Sequence, residues 1–226
     1  MTTDNLTTDG PQGPGSHDEQ GDSQGQDSRP ADAAPNLFGL LALGEFALHV
    51  DLTGALADMP EHAFASGLRV ATLSAGRLER ARRFAELAGA DALEPWRPTV
   101  ELLREIPAAD RFEALVGAGV VGGVLSDLAA LASDDGSGGG SYDGNGGDAD
   151  RDDLAATVRG EVEADPALAG RLSLYGRRVF GRVLLAGREV VVALAEPSPE
   201  RDRVQAYLEG AGEGFAERMS AMGLKG

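Results

Sequence analysis

The chain has no cysteine among its 226 residues and only three histidines. The first absence excludes disulfides, thiolate metal sites and iron–sulfur clusters. The second leaves little material for a Ser-His-Asp arrangement, since His17 precedes the folded region and only His49 and His62 remain. Long apolar runs are lacking too: Glu, Arg or Gly interrupts each within about a dozen residues, short of the ~20 that a membrane-crossing helix needs. The N-terminus carries neither a basic n-region nor an apolar h-region, so no signal peptide is expected. The expectation is a soluble, cytoplasmic protein with no membrane partner.

A basic surplus is also missing. The formal net charge is −17, yet most of it sits in two segments. Residues 1–36 hold seven acids against Arg29, and residues 134–153 hold seven more against Arg151. The rest of the chain keeps only −5, so the body is nearly balanced and offers nucleic acid no electrostatic landing surface. Residues 1–35 are rich in Gly, Ser, Gln, Asp, Thr and Pro without an aromatic residue, and read as a disordered acidic tail. Residues 134–153 contain GSGGGSYDGNGGD and read as a flexible insertion, long for a loop inside a compact domain.

What is present reads as helix. Apolar residues at 37, 40/41, 43/44, 48 and 52 predict a helix over Leu37–Leu56, punctuated by Pro60. A second spans 61–88 and closes at Gly89; the Pro95-Trp96-Arg97-Pro98 loop follows, and a short helix, Thr99–Glu105, stops at Pro107. Asp110 caps a helix reaching Leu131, and Asp153 caps one ending near Ala164. Asp165-Pro166 opens a long helix that ends at Pro197, and Ser198-Pro199-Glu200 opens the last, to about Met222. Helices of 20–30 residues with short connections predict an all-α, antiparallel bundle over residues 36–226 with an extra C-terminal helix.

Within the apolar run Leu37 to Leu48 stands one carboxylate, Glu45. On a buried helical stripe it must be neutralised, paired or bound to metal. His49 follows one turn later and shares its face as a structural partner. On the second helix Arg77, Glu79, Arg80, Arg82 and Arg83 form a charged run. Arg77 and Arg80 lie three apart, hence on one face, and arginine suits a buried carboxylate pair best. Gly117-Ala118-Gly119-Val120-Val121-Gly122 matches GxGxxG, but a dinucleotide site needs a strand before it and a helix opening at it. Here the context is helical throughout, so close helix packing explains the glycines better.

The stretches NLFGLLALGEF, ADPALAGRLSLYGRRVFG and ERMSAMGL resemble an actinobacterial branch of ferritin-like proteins grouped with the tRNA-(2-methylthio-cis-ribozeatin) hydroxylases, the MiaE-like family. The resemblance covers most of residues 36–226. It implies a ferritin-like bundle and, in functional members, a non-haem di-iron centre that activates oxygen. Glu45 matches the first-helix ligand. The second-helix Ala-x-x-Glu-x-x-His corresponds to Ser74-Ala75-Gly76-Arg77-Leu78-Glu79-Arg80, so Arg77 and Arg80 stand where Glu and His are implied. The third helix keeps Gly117 and Gly119 but shows Gly123-Val124 where an acidic–aromatic pair is implied, and the fourth-helix Glu/Asp-x-x-His falls in or beside residues 134–153. The implied reading is a degenerate site without cofactor, catalytic residue or confident metal ligand, in which Arg77 or Arg80 neutralises Glu45. A protein partner or self-association then carries the role. The alternative is a di-iron monooxygenase acting on modified tRNA.

Overall fold

The computed structural model describes residues 36–60, 63–133, 145–194 and 197–226. The expected tail at 1–35, most of the expected insertion (134–144), His17 and His62 lie outside the described residues. Seven α-helices and no strand occur among the described residues. They are α1 (Leu37–Ala57), α2 (Phe64–Ala88), α3 (Arg97–Leu103), α4 (Arg111–Ser133), α5 (Asn145–Ala164), α6 (Ala167–Ala193) and α7 (Pro199–Ala221).

The ends follow local chemistry. Asn36 caps α1 through its side-chain oxygen on the Gly39 N–H at 3.1 Å, and Asp110 Oδ1 takes the Phe112 and Glu113 N–H groups, each at 3.0 Å. Ser198 caps α7 ahead of Pro199 in the first turn. Gly89 ends α2 at φ 82°, a left-handed value that a side chain would resist.

Helices α1 and α2 run antiparallel, with Asn36 opposite Ala88, Glu45 opposite Arg77 and His49 opposite Ser74. Four helices close a ring in which α1 packs on α2 and α4, while α5 bridges α4 and α2. On the other side of α4 lie α6 and α7, and α3 fills the corner between α1 and α6. Because α1 and α4 are covered on more than one side, each buries residues around most of its circumference.

Three expectations need correction. The Pro95–Pro98 stretch is helical: a 3-10 turn at Glu94–Trp96 leads into α3 at Arg97, with Pro98 in the first turn, where a missing N–H is harmless. Trp96 is fully buried there, donating from Nε1 to the Asn36 carbonyl at 2.8 Å. Helix α5 begins at Asn145 rather than Asp153, so the second part of the expected insertion is helix. Finally, α1 and α4 are each long and apolar enough to cross a membrane. Half of the apolar window of α1 and 61% of that of α4 is buried within the protein itself, as core helices require.

Candidate functional site

The carboxylate of Glu45 is buried at the centre of the ring, 1% exposed. Helical spacing on α2 turns Arg77 and Arg80 toward it together. Arg77 Nη1 donates to Glu45 Oε1 at 3.1 Å and Oε2 at 3.2 Å, and Arg80 Nε donates to Oε2 at 3.3 Å. Arg80 Nη1 then reaches Asp150 Oδ2 of α5 at 2.7 Å. Two carboxylates and two guanidinium groups thus alternate across three helices as a formally neutral quartet. Neutrality matters because an uncompensated charge at this depth is costly.

The fourth helix contributes space. A Cβ on Gly122 of α4 would lie 2.7 Å from Arg77 Cζ, so only glycine lets the guanidinium rest against the helix backbone. The next residue repeats the device on the other side: a Cβ on Gly123 would lie 2.8 Å from Arg218 Nε of α7. Arg218 Nη1 donates to Asp127 Oδ2 at 2.9 Å, and the Tyr207 hydroxyl donates to the same oxygen at 2.8 Å. Burial, with the neighbouring Asp127 carboxylate, pushes the Tyr207 phenol well above its usual pKa.

These contacts settle where the GxGxxG match belongs. All of it lies inside α4, with no strand before it. Gly117 faces Tyr175, Gly119 faces Leu154 and Met222, and Gly122 faces Arg77. The glycines make room for neighbouring side chains, and the pattern is one of packing.

His49 does not join Glu45. Its Nδ1 lies 2.8 Å from Ser74 Oγ and 3.0 Å from Ser74 O, and Thr53 Oγ1 lies 3.0 Å from the same hydroxyl. It tacks α1 to α2 one turn beyond the quartet. Among the described residues no group of three or more His, Cys, Asp or Glu side chains is arranged to hold a metal ion. A di-iron centre does not fit the donor set at Glu45: both of its oxygens already accept from guanidinium groups, whose positive charge would repel iron.

Four participants escape the sequence reading. Asp150 lies in a stretch whose composition suggests a loop, although it precedes Leu154 and Val158 at four-residue intervals and so shares their buried face. Asp127, Tyr207 and Arg218 come from α4 and α7, 80 residues or more apart, and no spacing rule links them. No protein-family model and no curated protein sequence matches the chain.

Proposed function

We propose that the chain is a ferritin-like helical bundle of the MiaE-like kind in which a charge-balanced quartet takes the place of the metal centre, and that its role is structural or interactive. The observation that carries this reading is the double occupation of the Glu45 carboxylate by Arg77 and Arg80. Further support comes from placement: the groups converge from α1, α2 and α5 over the glycines of α4, the four helices of the ring. Both oxygens of a carboxylate held this way already accept from guanidinium groups, whose charge opposes a cation there. Support for association comes from Phe46 on α1 and Phe64 and Leu68 on α2, which are half or more exposed.

Metal content after growth in excess iron tests the first part. The expected result is no stoichiometric iron, with a helical circular dichroism spectrum. Stoichiometric iron in the folded protein would overturn the reading and restore an oxygenase. A complementary variant, Arg77→Glu with Arg80→His, rebuilds the family's second-helix pattern beside Glu45 and Asp150. Its expected behaviour is saturable Co(II) binding, seen as visible absorption absent from the parent protein. Sedimentation of the parent and of Phe64→Asp/Leu68→Asp tests the association, which the double change is expected to weaken.

A further inference from the structure

On the outside of the ring, α1 and α2 together present a face that the rest of the described chain leaves uncovered. Phe46 and Val50 of α1 are 50% and 40% exposed, and Phe64 and Leu68 of α2 are 77% and 60% exposed. The antiparallel register is pinned where Glu45 meets Arg77 and His49 meets Ser74. At ~1.5 Å per residue in opposite directions, Phe46 then stands level with Ala75, and Leu68 with Gly54. The bulky residue is on α1 at the first level and on α2 at the second. A Cβ on Gly54 would have no neighbour within 4 Å, so that position opens outward.

Charge along this stretch is confined to the outer edges of the face. Gly76, two turns after Arg69 and on the same side of α2, faces Asp150 of α5, so Arg69 lies on the edge away from α1. Asp51 and Asp58, also two turns apart, lie on the edge of α1 away from α2, where Arg104 engages Asp51 at 2.8 Å. Arg69 and Asp58 are both exposed, and neither joins an ion pair among the described residues. Within one copy they stand on opposite edges of the face. A second copy can bring them together.

We propose that this face binds a second copy of the chain, with the two-fold axis parallel to the helices, so that α1 of each copy lies on α2 of the other. Phe46 then seats on the partner's Ala75, and Leu68 fills the gap at the partner's Gly54; each contact occurs twice, as an isologous interface requires. The outer edges also meet. Arg69 comes within about one helical turn of the partner's Asp58, inside the reach of its side chain. End-over-end pairing of the same face would instead set the two Arg69 edges together, cation on cation. The inference rests on the association proposed above and gives it a partner and an orientation.

The test uses the full chain, which has no cysteine to confuse introduced thiols. Gly54→Cys and Leu68→Cys chains, mixed and then oxidised, are expected to form disulfide-linked dimers about tenfold more than either chain alone. Both positions are exposed, so both variants are expected to keep the parent circular dichroism spectrum. Leu68→Cys linking to itself as readily as to Gly54→Cys would mean end-over-end pairing and would overturn the proposal. Arg69→Asp and Asp58→Arg are each expected to raise the dimer Kd about tenfold in sedimentation equilibrium, and the double variant to regain most of that loss. A double variant weaker than both single ones would also overturn it. A dimer that gives neither the mixed cross-link nor the charge rescue refutes this arrangement and leaves association standing, whereas a monomeric parent protein removes self-association altogether. Parent protein that stays monomeric and binds phosphatidylcholine vesicles would make the face a membrane surface instead. The quartet is untouched by any of these outcomes, since iron content tests it separately.

Discussion

Two arginines rest on adjacent glycines of α4, and they meet different surroundings. Arg77 lies on Gly122 and faces Glu45, which is 1% exposed; Arg218 lies on Gly123 and faces Asp127, whose side chain is 30% exposed. Consecutive helix positions point about 100° apart, so one glycine serves the ring of α1, α2, α4 and α5, and its neighbour serves the α7 layer. In the first pair both partners have left water, and Glu45 accepts from Arg80 as well as from Arg77. In the second, the carboxylate keeps part of its hydration and shares its acceptor oxygen with Tyr207. Geometry alone would rank the two alike, at 3.1 Å and 2.9 Å. Solvation separates them, because breaking a buried pair strands a charge that water cannot reach.

The sharpest way to test that difference is to remove each carboxylate. Glu45→Ala strands the buried Arg77 guanidinium in the core and is expected to cost about 3–5 kcal/mol in urea denaturation. Asp127→Ala removes a carboxylate that is already partly hydrated, although Arg218 itself is buried, and is expected to cost about 1–3 kcal/mol. Equal losses would mean that the surroundings do not distinguish the pairs. The double change Glu45→Leu/Arg77→Leu removes both charges together, leaves Arg80 with Asp150, and is expected to recover much of the Glu45→Ala loss. If Arg77→Leu alone is as stable as the parent, Arg77 is not the partner that matters.

Next in size are the glycines. Gly122→Ala drives a methyl into the Arg77 guanidinium, which the quartet holds on its other side, and overpacking of this kind costs about 1–3 kcal/mol. Gly123→Ala meets the Arg218 side chain at Cδ and Nε, and is expected to cost a comparable amount by thermal unfolding. A loss confined to one of the two variants would show that only that arginine is held rigidly.

The helices were legible in the sequence because their signals are local. Asp110 and Ser198 announce starts, and the three-to-four spacing of Leu40, Leu41, Leu48 and Leu52 announces a buried face. Glu45 was legible as an anomaly, and spacing placed two candidate partners, Arg77 or Arg80, on one face; in the fold both reach it. Asp150 was not, since six acids and many glycines around it make a composition that suggests a loop, while its burial depends on a ring closed by distant helices. The membrane-length apolarity of α1 and α4 misled in the other direction. Interruption by Glu45 and by glycines argued against long apolar helices, yet in the fold those interruptions are the contact points with α2, α6 and α7.

The phenols sharpen the contrast at high pH. Tyr175 and Tyr207 have folded pKa values raised above the ordinary 10.0, chiefly by burial. The unfolded chain therefore ionises first. Stability from keeping them neutral is fully present below about pH 10 and is lost as pH rises through the folded values. Tyr207→Phe is expected to lose about 1 kcal/mol near neutrality with its hydrogen bond to Asp127. It is also expected to flatten the alkaline decline in urea midpoints, and an unchanged decline would place the liability in Tyr175 alone.

The smallest effect is expected where both partners of a pair meet solvent. Asp110 is opposed by burial, which raises its pKa, but the Glu113 N–H, the Arg171 guanidinium and the Phe112 N–H outweigh this and hold it below the ordinary 3.8. A depressed carboxylate stabilises the fold above its unfolded pKa, and that contribution is lost as pH falls through the folded value. Asp110 and Arg171 are each more than a third exposed, so water screens the pair and its contribution should be at most about 1 kcal/mol. Asn retains the capping oxygen for the N–H groups of Phe112 and Glu113 while removing the charge. Asp110→Asn is therefore expected to leave stability near neutrality almost unchanged and to make unfolding slightly less sensitive to acid below about pH 4. A loss at neutrality as large as that of Glu45→Ala would show that solvent exposure does not set the strength of these ion pairs, and the distinction between Arg77 and Arg218 would lose its physical basis.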